Sequence, residues 1–403
     1  MLSFEHIGPI FSQAIAAILA IILFILLSNF FILLVNLTTF VRLLSKDTTT
    51  NADQAPLVSV LIPARNEAAN IEMCIRSLLK QQYSRLEIIV LDDQSSDQTA
   101  SIVKRLISEL PAQTTPTLRL ISGQTLPQGW IGKNYACQQL AQQAQGTYIL
   151  FTDADTFHQP GMVRSIIQQM EKWQVQLLSA QPEQIQKSLG EQLIVPLLNF
   201  TILTLLPIPL IRLRPEPSLA TGNGQLLCFE REAYQAIGGH STVKGKILED
   251  VLLARTIKAA GYRIAYADAF ELTQCRMYHS FEEVWSGFSK NLFAFYNYSL
   301  TFALAAILLN LLLFVAPLFL LLGCIAEGSS PMTILVALTA TLLPILMRIC
   351  LALRFTRRQK SLALILSFLH PISIILECLI LLNSIRWHYR KSGTTWKGRY
   401  YPA

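Results

Sequence analysis

Charge is what this chain has least of: Asp, Glu, Lys and Arg together make up 15% of its 403 residues, against 52% hydrophobic ones. Ordinary soluble domains carry roughly 25% charged residues. This shortage, with a mean hydropathy of +0.41, excludes a soluble enzyme of ordinary type and a disordered chain. Glycine and proline stand at only 18 each, which excludes collagen-like and low-complexity architectures. The seven cysteines are odd in number and include no Cys-x-x-Cys pair. Neither a disulfide framework nor a zinc site is suggested, and a reducing, cytosol-facing domain fits them.

Basic charge is absent before Arg42 and gathers late. The net charge is +7, yet from Arg348 onward ten Lys/Arg face the single acid Glu377, so that stretch alone carries +9. It lies among hydrophobic segments, where it reads as membrane topology and contact with anionic headgroups. Nucleic acid is thereby excluded as a partner.

Long apolar runs are what the chain has most of. Ala14 to Val35, broken only by Ser28 and Asn29, is long enough to span a bilayer. Arg42 and Lys46 follow it, so the positive-inside rule places the N-terminus outside and the rest in the cytoplasm. Residues 1–45 are expected to be an uncleaved anchor in a multi-pass cell-membrane protein. Thr301–Gly323 and Met332–Met347 read as two further spans, after which Arg354, Arg357, Arg358 and Lys360 mark a return to the cytoplasm. Within the C-terminal membrane segments, 299–385, the run Ser361–Ile385 has two readings. Either it crosses, placing the basic tail 386–403 outside against the rule, or it re-enters as a hairpin broken at His370-Pro371. The rule favours the hairpin. Leu193–Ile211 is uncharged and long enough to cross, but Pro196, Pro207 and Pro209 would interrupt its helix. It is expected to lie in the membrane surface, apolar face down.

Between these segments, residues 56–298 read as one folded cytoplasmic domain. Apolar runs at Leu57–Ile62, Leu86–Leu91, Leu118–Ser122 and Tyr148–Thr152 alternate with helical patterns, as in a mostly parallel α/β sheet flanked by helices. Ligands of such sheets bind at the carboxyl ends of the strands. Three of these strands end in polar clusters: Pro63-Ala-Arg65-Asn-Glu67, Asp92-Asp93, and Asp153-Ala-Asp155.

Each cluster carries two readings. Asp153 and Asp155, two apart as a strand runs out, can point to one side and hold Mg²⁺ or Mn²⁺ with substrate phosphates. Alternatively they cap the helix that begins near Pro160. Asp93 offers an acceptor for a base or ribose, while Asp97 or Ser96 caps the helix opening at Thr99. Glu249 and Asp250 open a helix on which neighbours diverge by about 100°, so one is a base and the other structural, unless both serve the helix dipole. Lys133 follows two glycines at a helix start, suiting a phosphate or sugar contact or a solvated surface lysine. His240 and His279 have no metal-type partners nearby and read as structural or acceptor-side.

Taken together and in this order, Pro63-Ala-Arg-Asn-Glu67, Asp92-Asp93-x-Ser95-x-Asp97-x-Thr99, Asp153-x-Asp155 and Glu249-Asp250 resemble the family 2 glycosyltransferases, inverting enzymes of the GT-A fold. Gly129-Trp-x-Gly-Lys133, Thr221-Gly-Asn-Gly-Gln225 and Ala236-Ile-Gly-Gly-His240 resemble its membrane-bound carotenoid and hopanoid-associated branch. The resemblance implies transfer of one sugar, UDP-glucose or similar, to the hydroxyl or carboxyl of an apolar lipid. It places Pro63, Arg65 and Glu67 around the nucleotide, Asp93 at the uracil, and Asp155 with Asp153 on the metal. It also makes Asp250 the base, with Lys133 at the diphosphate or sugar. The Gln-x-x-Arg-Trp motif of processive polysaccharide synthases is missing. Transfer to a polyprenyl phosphate remains an alternative, as does a degenerate, non-catalytic domain. In a helical pattern over His279–Tyr298, Phe281, Trp285, Phe288 and Phe295 form an aromatic face suited to the interface or to core packing.

Overall fold

The computed structural model describes residues 4–45, 55–111, 115–390, 394–396 and 399–401. Lys46, and Lys391 and Lys397 of the basic tail, lie outside them. The chain opens with α1 (Phe4–Thr39). A sheet region follows: β1 (Val58–Ala64), α2 (Ile71–Leu79), β2 (Leu86–Asp92), α3 (Thr99–Glu109), β3 (Thr117–Ser122), α4 (Gly132–Gln143) and β4 (Tyr148–Phe151). Next come β5 (Thr156–His158), α5 (Met162–Trp173), β6 (Leu177–Gln181) and β7 (Glu183–Gln184). Three short helices, α6 (Leu189–Ile194), α7 (Pro196–Leu205) and α8 (Ile208–Leu213), lead to β8 (Leu227–Glu230). The domain closes with α9 (Arg231–Ala236), α10 (Glu249–Ala259), β9 (Ile264–Asp268) and β10 (Thr273–Cys275). Then come α11 (Phe281–Phe295), α12 (Leu300–Phe314), α13 (Ala316–Ala326), α14 (Pro331–Phe355), α15 (Lys360–Ser367) and α16 (His370–Tyr389).

Seven strands form one sheet in the order β3-β2-β1-β4-β8-β6-β9. Only β8 runs antiparallel to its neighbours, so the sheet is mostly parallel, as the alternating pattern implied. Its central strands are buried on both faces, which is why β1 and β2 read as continuous apolar runs. Pro63, which has no N–H to give, sits in β1 beyond the point where β4 stops pairing, at Leu61. On α2, Ile71, Ile75 and Leu78 are buried at i, i+4 and i+7 and cover one face of the sheet.

Three helices, Gln13–Thr39, Pro331–Phe355 and His370–Tyr389, are long and apolar enough to cross a membrane, or four if α11 and α12, bent by 115°, count as one. The expected span at Thr301–Gly323 is instead two helices, α12 and α13, parted at Val315. Pro317 withdraws an N–H from that turn. The run Ser361–Ile385 breaks just before His370, but its arms are unequal, at 8 and 20 residues. The longer arm alone has the length of a span, unlike a hairpin of two half-length arms.

The uncharged stretch 193–211 is broken at Val195 and again at Leu206-Pro207. Its apolar face is not free: Phe200, Leu203, Ile208 and Ile211 join a buried cluster that includes Leu33 of α1 and Leu351 of α14. Asn36 of α1 completes the join, its Nδ2 donating to the carbonyls of Leu203 (2.8 Å) and Leu206 (2.9 Å) and its Oδ1 accepting from Ile208 N (2.8 Å). The aromatic helix α11 divides likewise. Val284, Phe288 and Phe293 are buried, while Phe281 and Phe295 stay exposed.

The basic residues at the helix ends hold the domain. Asp268, fully buried at the end of β9, takes Arg42 Nε at 2.9 Å and Arg354 Nη2 at 3.0 Å. Arg42 and Arg357 both reach Glu271. The backbone agrees: Leu43 N donates to Asp268 O and Asp268 N to Val41 O, so the chain leaving α1 extends the sheet edge. Replacing Asp268 by Ala strands two arginines, which costs about 3–5 kcal/mol for a buried pair. Thermal unfolding of the detergent-solubilised protein should show that loss, and an unchanged Tm would mean the cluster does not hold the domain.

Candidate active site

The strand ends are stitched into one surface. The loop after β1 and the loop after β2 exchange bonds: Asn66 N donates to Ser95 Oγ at 3.0 Å, Ser96 N to Asn66 Oδ1 at 2.8 Å, and Glu67 N to Thr99 Oγ1 at 2.8 Å. Arg65 donates to the carbonyls of Asp93 and Gln94. Asn66 and Gln94 adopt φ of 52° and 56°, a left-handed conformation held by this mutual bonding. The N-cap position falls on Gln98 and not on Asp97, but Asp97 Oδ1 accepts from Thr99 N at 2.9 Å and its Oδ2 from Ala68 N at 3.0 Å. Asp93 is 2% exposed beneath the same loops.

The Asp153-x-Asp155 pair lies just past its strand: β4 ends at Phe151, so both acids sit in the turn to β5. Asp153 Oδ1 faces Lys133 Nζ at 2.9 Å. Asp155 faces the Cys275 thiol, which burial pushes well up and the two carboxylates push further. The turn rests on a buried polar layer: Thr156 Oγ1 donates to Asp153 O at 2.7 Å, and Thr152 Oγ1 donates to Gln225 O at 2.8 Å. His158, pushed down to about 3 by burial, joins that layer as a neutral ring 2.9 Å from Thr156 Oγ1.

Lys133, at the start of α4, is the hub. Besides Asp153 it takes Glu249 Oε1 at 3.1 Å. Burial opposes its charge, but Asp153 and Glu249 together hold the ammonium well above its usual range. Glu249 is therefore the structural member of its pair, as a lysine partner. Asp250 points elsewhere: Oδ2 accepts from Gly224 N and Oδ1 from Val251 N, both at 2.8 Å. Burial and then the Glu249 charge push its carboxyl up to about 7, against the pull of Lys133 and the two N–H groups.

The loop 221–225 had no reading from its own residues, only from the resemblance. Its glycines are spatial requirements. A Cβ on Gly222 would meet Asp250 O at 2.8 Å, and one on Gly224 would meet Lys133 Nζ at 3.1 Å and Asp250 Oδ2 at 3.7 Å. Gln225 then links the loop to β7 and β10, accepting from Gln184 Nε2 at 2.7 Å and lying 3.1 Å from Cys275 Sγ. Two glycines in five residues were the available signal. His240 is structural, pushed down to about 3 by burial, with its Nδ1 2.7 Å from Tyr234 OH. His279 is exposed and pairs only with Glu283.

Residues 59–220 match the family model described as Glycosyl transferase family 2. The chain is a glycosyltransferase, and the family match lies on the sheet domain that carries the site. A 4,4'-diaponeurosporenoate glycosyltransferase of Staphylococcus aureus (strain MRSA252) is 27% identical over 85% of this chain and 88% of its own length. Another, of Staphylococcus aureus (strain USA300), is 26% identical over 85% and 88%. Among solved structures, a mannosyltransferase from Pyrobaculum calidifontis, in complex with GDP-Man and Mn²⁺, superposes with a TM-score of 0.53 at 20% identity. That superposition covers 92% of this chain and 99% of the other, so the likeness of fold extends beyond the sheet domain.

In this glycosyltransferase domain the approach of loop 221–225 to Lys133 is testable. Gly224→Ala should displace the ammonium and cut turnover by about 10²-fold, the scale of a small misplacement of catalytic groups, with thermal stability little changed. Full activity would show that the close approach is incidental.

Proposed function

We propose that the chain moves one sugar from a nucleotide sugar, UDP-glucose or a close analogue, to the polar end of a long apolar acceptor at the cytoplasmic face of the membrane. The observation that carries this reading is the convergence of Asp153, Glu249 and Asp250 around Lys133 and Gly224. An acceptor of carotenoid-acid type is supported by the names of the staphylococcal relatives. Single transfer is supported by the missing Gln-x-x-Arg-Trp.

Pro63, Arg65, Glu67 and Asp93 form the wall proposed for the nucleotide. Lys133, held ionised by its two acids, is placed to bind the diphosphate. Among the described residues no group of three or more His, Cys, Asp and Glu could hold a metal alone. The two hard carboxylates of Asp153 and Asp155 therefore fit Mg²⁺ or Mn²⁺ only if bound phosphate and water complete the shell, which is how Mg²⁺ is commonly held. Such an ion, when bound, neutralises charge developing on the diphosphate. Asp250, oriented by two backbone N–H groups, takes the proton of an acceptor hydroxyl that attacks the anomeric carbon from the far side, so configuration inverts. An acceptor carboxyl is already ionised near neutrality and has no proton to give.

Asp250→Asn should therefore lower transfer to hydroxyl acceptors by about 10²–10⁴-fold, with much less effect on carboxyl acceptors. Unchanged turnover on a hydroxyl acceptor removes Asp250 as base. A base works deprotonated, so with Asp250 near 7 the rate on hydroxyl acceptors should climb as pH rises through about 7 and level off above. Glu249→Gln removes the like charge that pushes Asp250 up, and its pH–rate limb should move to lower pH. EDTA should stop transfer and added Mn²⁺ or Mg²⁺ restore it; full activity in chelator discards the metal.

A further inference from the structure

A second site lies away from these carboxylates, where the α14–α15 connection meets β7 and α6. A cleft of about 220 Å³ there is lined by Lys187, Arg357 and Arg358, with one carboxylate, Glu183, facing Arg357 at 3.9 Å. It shares Gln186 and Gln192 with a narrower pocket of about 30 Å³ that ends at Asn199 and Arg348. One side of this path is polar. The other is apolar, formed by Pro196, Leu351 and Ala352.

Arg348 is the unusual member. It lies inside α14, seven residues before Phe355, roughly 10 Å of helix from its cytoplasmic end. It is only 4% exposed. Nη2 donates to the carbonyls of Gln192 at 3.1 Å and Leu193 at 2.9 Å, but Nη1 has no hydrogen-bond partner. Among the described residues no carboxylate closes an ion pair with it, and Glu377 of α16 acts on it only at longer range. A buried guanidinium without a counter-charge costs several kcal/mol. Ionisable groups at membrane depth are otherwise rare and mark binding sites.

We propose that this cleft seats the anionic head, a carboxylate or phosphate, of a membrane lipid, with Arg348 Nη1 as the buried donor and Lys187 and Arg358 at the mouth. Guanidinium suits either oxyanion. The apolar wall along α14 suits a chain that continues into the bilayer, and a small soluble anion would leave that wall unused. The inference rests on Arg348 and its cleft, independently of any role for Asp250, and its test reads binding without turnover.

The full-length protein would be assembled in phosphatidylcholine nanodiscs doped with phosphatidic acid or with oleate, and retained lipid measured by native mass spectrometry. Wild-type protein should retain the acidic lipid in preference to phosphatidylcholine. Arg348→Gln should weaken retention by about tenfold or more, the scale of one charge-assisted hydrogen bond. Asn199→Leu, which fills the narrow pocket while leaving Arg348 in place, should do the same and decides the matter if Arg348→Gln fails to fold. Inorganic phosphate should not displace the lipid. Equal retention of zwitterionic lipid, or retention untouched by Asn199→Leu, overturns the proposal. Displacement by inorganic phosphate at equal concentration overturns it too, by making this a small-anion site.

Discussion

One fully buried carboxylate, Asp268, sets the position of the catalytic domain against the membrane helices. It ends an edge strand of the sheet and accepts arginines from two distant parts of the chain, Arg42 after the first apolar helix and Arg354 at the end of α14. Those arginines are the residues that the positive-inside rule uses to orient a membrane protein. Here they have a second task. The same cations are the partners that a buried acid requires, so residues that follow the apolar helices also dock the domain. Strand-like pairing of residues 41–43 with the end of β9 then leaves the sheet little freedom to rotate.

The active site repeats this economy with the signs exchanged. Three acids crowd into a small space, and Lys133 is the counter-charge that makes the crowding tolerable. The same arrangement separates the two members of Glu249-Asp250. Glu249 turns to the lysine; Asp250 turns to the backbone of loop 221–225 and is left with a raised affinity for a proton. Adjacent residues at a helix start diverge, and the structure uses that divergence to give one carboxylate a structural role and the other an environment suited to proton transfer.

Much of this was legible in the residues. The alternation of apolar runs with helical patterns led to the mostly parallel sheet, because buried parallel strands are apolar on both faces. Polar clusters at strand ends pointed to the candidate site, where Asp153 and Glu249 meet Lys133 and Asp250 meets Gly224. The failures have physical causes. The break at Val315 was hidden because hydropathy measures apolarity and is blind to one missing N–H at Pro317. The role of loop 221–225 could not come from pattern alone: a glycine's necessity depends on what stands opposite it, here Lys133 and Asp250, both distant in sequence.

The segment 189–213 shows how the two halves of the molecule depend on each other. Prolines at 196, 207 and 209 leave its backbone unable to satisfy itself as one helix, and at membrane depth an unmet backbone group is costly. Polar side chains placed within apolar helices supply the missing bonds. Asn36 binds the carbonyls of Leu203 and Leu206 and the N–H of Ile208, and Arg348 binds the carbonyls of Gln192 and Leu193. The segment is therefore built jointly by domain and membrane, with neither half able to shape it alone. Its first helix also carries Glu191, 1% exposed, which pairs with Arg276 at 3.0 Å beyond the end of β10. A continuous chain of contacts thus runs from α1 and α14, through the interrupted helices, to the strand that bears Cys275 beside Asp155. The proposed reaction, with an apolar acceptor and a charged donor, would need walls of opposite character meeting at one place, and this segment joins an apolar wall to a polar one.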